Sequence, residues 1–166
     1  MITDFLLDHS DLVPVMAVLV VAVCCALGYL LVRTRRSDAA PVLWILAVLS
    51  AIPLVAVTLV PTGIRADDGV LCAVQLFLPT SGSVELLANI ALFLPLVLFA
   101  ALASRRPLLV VLVAVVGSFA IEAVQAVLPV IGRRCDTEDW AMNTVGILVA
   151  GVLARIVLVF ARSAER

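Results

Sequence analysis

Residues 107–128 read PLLVVLVAVVGSFAIEAVQAVL, an apolar run that holds a single ionisable side chain, Glu122. A helix needs about 20 consecutive apolar residues to cross the hydrocarbon of a bilayer, and this run has that length. Backbone polar groups in lipid must be satisfied within the segment, so the run is expected to be an α-helix. Working outward from it, four further runs approach the same length. They extend from about Leu12 to Val32, from Pro41 to Val60, from about Val84 to Ala103 and from Asp139 to Ala161. Pro53 and Pro95 fall inside the second and third and are expected to kink them.

The composition demands the same reading. Hydrophobic residues make up 64% of the 166 and charged residues 14%, and the mean hydropathy is +1.26. A soluble domain is usually about half apolar and a quarter charged; the excess here needs lipid as its solvent. The expected fold is therefore an all-α, polytopic membrane protein of about five transmembrane helices, forming a single membrane domain over residues 1–166. The net charge of −1 offers no basic surface for phosphate neutralisation and argues against nucleic acid as a partner. The leading stretch, MITDFLLDHSDL, has three aspartates and no basic residue, unlike the positive start of a secretory signal. The first run is thus expected to be a retained span. Val23 before Cys24 is a poor fit to a lipoprotein cleavage site, so no lipid anchor is expected.

Every positive charge is an arginine, and the arginines are unevenly placed. Arg33, Arg35, Arg36, Arg105, Arg106, Arg162 and Arg166 fall on one side if the helices alternate, and Arg155 can snorkel towards it. Only Arg65, Arg133 and Arg134 fall on the other. The positive-inside rule then puts the N-terminus outside and the C-terminus in the cytoplasm. Tyr29 and Trp44 are expected near the inner interface and Trp140 near the outer one. The longest loop, Pro61 to Ser83, lies outside; its middle, Val70–Pro79, is apolar but too short to span. It is either an interfacial helix or a re-entrant turn.

The polar residues inside these apolar runs are spaced to converge. Glu85 and Asn89 are four apart and share a face of the third helix. Ser118, Glu122 and Gln125 share a face of the fourth. Asp139, Asn143, Gly146 and Ala150 share a face of the fifth. All three faces reach the outer level, where the loop PVIGRRCDTED adds Arg133, Arg134, Asp136 and Glu138. There is also a weak internal echo, since Glu85–Asn89 and Asp139–Asn143 each put a carboxylate one turn before an asparagine. A carboxylate within a span is expensive, so Glu122 should face the bundle interior and find a partner. Arg133 or Arg134, Asn89 and Asn143 are the candidates. A purely architectural reading stands beside this. In it Glu85, Asp136 and Asp139 cap helices, Asn89, Gln125 and Asn143 join helices by hydrogen bonds, and Gly146 and Ala150 allow close helix approach.

Cys72 and Cys135 are the cysteines in expected outer loops, where an oxidising environment permits a disulfide; the alternative is two free thiols. Cys24 and Cys25 read as small packing residues in the first helix. With one histidine, His9, the chain offers no metal-ligand spacing. It also contains no serine–histidine pairing and no nucleotide-binding loop, and no cofactor is expected.

Three strings together resemble the VanZ-like family: E-x-x-x-N-I-x-L-F-x-P-L (Glu85 to Leu96), S-x-x-x-E-x-x-Q (Ser118 to Gln125) and R-x-x-D-x-x-D-x-x-x-N-x-x-G (Arg133 to Gly146). Their order and spacing agree with that family over about residues 58–151, and LVPTG after the second helix is similar as well. Many relatives have glycine after the proline of the first string, where this chain has Leu96 and Val97. The resemblance implies a small multi-pass protein of the bacterial cytoplasmic membrane. The family takes its name from a protein conferring low-level resistance to teicoplanin, a lipid-tailed glycopeptide antibiotic, and carries no agreed biochemical mechanism.

Three functions follow as expectations. In the first, the polar cluster binds or shields an amphiphilic envelope ligand, either a glycopeptide or a lipid-linked wall precursor. Arg133 and Arg134 would meet its phosphate or carboxylate groups, and Glu85, Glu122, Asp136 and Asp139 its amines or hydroxyls. In the second, an intramembrane enzyme uses Glu122 as acid and Asp139 as base on a lipid-linked substrate. In the third, the protein is a structural membrane subunit and the cluster is packing. Five helices without a clear inverted repeat give a transporter little support.

Overall fold

A computed structural model describes residues 12–34, 39–61, 72–74, 84–128, 130, 132 and 135–164. Its elements are α1 (Leu12–Arg33), α2 (Ala39–Leu59), β1 (Cys72–Ala73), α3 (Val84–Ser104), α4 (Pro107–Val127), β2 (Cys135–Asp136) and α5 (Thr137–Ser163). All five helices are long and apolar enough to cross a membrane, and the chain is a multi-pass membrane protein. The expected spans are found within a few residues of their anticipated ends. Pro53 and Pro95 lie inside α2 and α3 without ending them.

The helices divide into two central and three peripheral. α3 and α5 are the most buried and pack most extensively on each other, while α1, α2 and α4 surround them and turn Val, Leu and Ile side chains outward. In water such faces would be an aggregation hazard; in a bilayer they are the lipid contact. The interior comprises Phe93, Leu94, Val97, Leu98 and Leu102 of α3 with Ile147, Ala150, Ala154 and Leu158 of α5. Alanine and glycine recur along α5 because two helices in lipid gain by close contact rather than by hydrophobic exclusion.

Gly146 carries this argument furthest. A Cβ there would stand 2.2 Å from the carbonyl oxygen of Ile90, a backbone atom that cannot swing aside. The close approach of α5 to α3 expected from the sequence is thus made at this residue. Gly146→Ala is expected to lower stability by about 2 kcal/mol, as overpacking does. Thermal unfolding in detergent would measure it, and an unshifted midpoint would contradict the close contact.

The turn between α3 and α4 is tight. Arg105 takes a positive φ of 55°, which ends α3. Pro107 then opens α4, where its missing N–H costs nothing. The connection between α4 and α5 is also short, so consecutive helices run in opposite directions. One end of the bundle therefore holds the α4–α5 connection and the starts of α3 and α5; the other holds the α3–α4 turn and Arg33, Arg105, Arg106 and Arg162.

Between α2 and α3 the described segment is a strand. Cys72–Ala73 pairs in parallel with Cys135–Asp136, Cys72 opposite Cys135 and Ala73 opposite Asp136. At Cys72 and Ala73 this replaces the helical alternative with a strand. A disulfide across a register pair holds the backbone extended there. Most of Val70–Pro79 lies outside the described residues, as do His9, Arg35, Arg36, Arg65, Arg133, Arg134 and Arg166.

Candidate functional site

The strand pair seats the polar end of the bundle. Cys72 and Cys135 form a disulfide with their Cα atoms 4.5 Å apart, joining positions separated by 63 in sequence. The Thr137 hydroxyl donates to the Ala73 carbonyl at 3.4 Å. The chain then turns directly into α5. Asp136, extended at φ −135° and ψ 127°, is its N-cap, and its carboxylate accepts the Glu138 N–H at 2.8 Å. Glu138 and Asp139 follow in the first turn, where negative charge suits the helix dipole.

Asp136 thus takes the capping role that the sequence allowed to either aspartate. Asp139, three residues further along, faces α3, and Asn89 donates its side-chain N–H to it. The asparagine of one half of the internal echo therefore bonds the carboxylate of the other. Glu85 lies in the first turn of α3 at the same end; its side chain is outside the described residues.

Glu122 also finds a partner different from those anticipated. Its carboxylate accepts the backbone N–H of Asp136 at 3.0 Å. Of the expected candidates, Asn89 donates to Asp139, and Arg133 and Arg134 lie outside the described residues. Among the described residues, Asp139 and Asp136, both acidic, act on Glu122 electrostatically. The reason is local: β2 runs past the end of α4 and turns the Asp136 N–H towards the buried carboxylate.

Gln125 has an architectural task. Its amide donates to the Thr58 carbonyl at 2.9 Å. Thr58 is next to the last residue of α2, where carbonyls have no partner within the helix. The bond ties α4 to the end of α2.

The register between α4 and α5 brings the remaining residues level. Near one end, a Cβ on Gly151 would meet the Val111 side chain. Towards the other, the Phe119 ring meets Trp140 edge-on, centroids 6.1 Å apart. In this antiparallel register Ser118 stands level with Asn143, and Glu122 with Asp139. Glu122, Asn143 and Gln125 are 5, 4 and 7% exposed, and Ser118 is fully buried. Among the described residues, Ser118 Oγ, Asn143 Oδ1 and Trp140 Nε1 are buried without a hydrogen-bond partner. An unsatisfied buried polar atom costs about 1–3 kcal/mol, and such atoms call for an explanation. Trp140 is half-buried against Phe119.

The structure therefore brings Asn89, Ser118, Glu122, Gln125, Asp136, Asp139 and Asn143 to one end of the bundle. Arg133 lies outside the described residues. Sequence reasoning missed the backbone half of this site: the Asp136 N–H and the Thr58 and Ala73 carbonyls. It also missed the Trp140 indole as a buried donor. Of these, only Thr58 carried a signal, by standing near the end of a span. The carboxylates are acceptors placed for donors; among the described residues, no group of three or more His, Cys, Asp and Glu side chains is arranged to hold a metal ion.

No curated protein and no solved structure matches the chain. The model of the VanZ/LLP1 family matches residues 15–158, nearly the whole length and well beyond the three strings that first carried the resemblance. The polar residues gathered at one end of five membrane-spanning helices are those of these strings, and the chain belongs to the VanZ/LLP1 family.

Proposed function

We propose that this protein binds or shields an amphiphilic envelope ligand at its polar end, outside the cytoplasmic membrane of a bacterium. The ligand is a glycopeptide antibiotic or a lipid-linked wall precursor. One observation carries the reading. Ser118 Oγ and Asn143 Oδ1, level with each other on neighbouring helices, stand buried and unpaired beside Glu122, beneath a strand pair tied by a disulfide. Unspent hydrogen-bonding capacity next to a carboxylate suits a ligand that brings hydroxyl or ammonium donors. Arg133, close in sequence, supplies a guanidinium for its phosphate or carboxylate. Two independent observations support the outward orientation. Arginines gather at the other end, as the positive-inside rule expects of the cytoplasmic face. A disulfide at this end suits an oxidising side.

The test is binding of a fluorescent glycopeptide, and separately of a lipid-linked wall precursor, to the purified protein in detergent. Glu122→Ala and Arg133→Ala are each expected to weaken binding at least tenfold, a loss of about 1.4 kcal/mol. Unchanged binding in both would overturn the reading. In cells, a deletion strain complemented with Glu122→Gln should resemble the uncomplemented strain in glycopeptide susceptibility. A Glu122→Gln protein that is well folded yet inactive there is incompatible with a purely architectural role.

A second reading has one observation in its favour: Glu122 and Asp139 are within electrostatic reach of each other, as an acid and base pair would be. Under it, wild type consumes a lipid-linked substrate and Glu122→Gln does not. Equal product from both excludes that role for Glu122.

A further inference from the structure

The end of the bundle opposite the polar site carries an unexplained charge. Arg155 is the only ionisable residue of α5 between Asp139 and Arg162, and it is exposed on the surface of a membrane-spanning helix. A charge within a span should face the interior or have a partner. Arg155 does neither, since no carboxylate of the described residues pairs with it. Glu122, Asp136, Glu138 and Asp139 all lie towards the far end. Beside it runs a groove of about 160 Å³ between α4 and α5, with Leu108, Val111, Leu148, Gly151 and Val152 in its lining and Pro107 and Arg155 at one end of it. Pro107 is the first residue of α4, so the turn carrying the exposed Arg105 and Arg106 adjoins that end.

We propose that this groove is a binding site for an anionic phospholipid, whose acyl chain lies along the apolar lining and whose phosphate meets Arg155 and Arg106. The chemistry on each side is matched. The groove wall is aliphatic and opens to the hydrocarbon. A guanidinium offers a planar fork of donors to phosphate oxygens, and its aliphatic stem lies along apolar surface while the head reaches the headgroup level. Arg155 stands level with the start of α4, since both it and Pro107 line the groove. The wider groove between α1 and α5, bounded by Cys25, Tyr29, Val157 and Phe160, has no charged residue in its lining among the described residues.

The experiment measures lipid retention by native mass spectrometry of the full chain, released from mixed micelles holding equal phosphatidylglycerol and phosphatidylcholine. Wild type is expected to retain phosphatidylglycerol in excess, by roughly fivefold for each arginine engaged. Arg155→Gln and Arg106→Gln should each reduce the excess, and the double variant should bring the two lipids to parity. Both side chains are exposed, so loss of the fold does not stand in for loss of the site; unchanged thermal unfolding of each variant checks this. Equal retention of the two lipids by wild type would overturn the proposal. So would an undiminished preference in the double variant, or displacement of the lipid by millimolar glycerol phosphate, which would mark a site for free phosphate.

Discussion

Opening the Cys72–Cys135 bridge is expected to lower the stability of the folded protein by about 4 kcal/mol. The chain-entropy account assigns about 3 kcal/mol to a short closed loop and about 4.7 kcal/mol to one of about 100 residues. The 63-residue separation here falls between them. The loop contains all of α3, all of α4 and the connection to β2, so without the bridge the two-residue strand pair must hold by its own few hydrogen bonds. Such a pair is marginal alone. The Thr137–Ala73 bond and the extended backbone that presents the Asp136 N–H to Glu122 should loosen with it. Thermal unfolding of purified protein in detergent, with and without reductant, measures the effect; Cys72→Ser should reproduce the reduced curve. Coincident curves in all three samples would show that the bridge does not support the fold.

Replacing Glu122 by leucine is expected to cost about 3 kcal/mol, and replacing it by glutamine about 1 kcal/mol or less. A hydrogen bond to a charged group contributes about 1.5–3 kcal/mol, and a buried N–H left without an acceptor costs about 1–3 kcal/mol. Leucine removes the acceptor of the Asp136 N–H and leaves that donor at a partly buried site. Glutamine keeps a carbonyl at the same place and also relieves repulsion from Asp136 and Asp139, the two like charges that act on Glu122. Unfolding midpoints of the two variants should therefore differ clearly, with glutamine near wild type. Equal destabilisation by both would mean that the charge, rather than the accepted N–H, holds β2 against α4. A stable glutamine variant also makes the susceptibility experiment informative, because its loss of function would then have no folding explanation.

The spans, their number and the faces on which polar residues gather were legible along the chain. Each depends on local periodicity and on the requirement that a helix in lipid satisfies its own backbone. Ser118, Glu122 and Gln125 had to share a face of α4, and Asn143 and Gly146 a face of α5, whatever the tertiary arrangement. The close approach at Gly146 was legible for the same reason, since a glycine on an interior face of a long apolar helix has little other use. The disulfide stood among the alternatives because both cysteines fell in loops on one side.

Partners were a different matter. Glu122 was expected to meet a side chain; among the described residues it accepts from the backbone of Asp136, and Arg133 and Arg134 lie outside them. Asp139 was a candidate cap, yet it accepts from Asn89 while Asp136 caps α5. Gln125 spends its amide on a carbonyl at the end of α2. Sequence by itself determined the membrane, the helices and the faces, since these follow from solvent and periodicity one segment at a time. Which donor meets which acceptor was decided only by the tertiary structure. Backbone N–H and C=O groups are the same at every residue and leave no mark in composition, so the ones that remain available emerge only when helix ends and strands are set against each other.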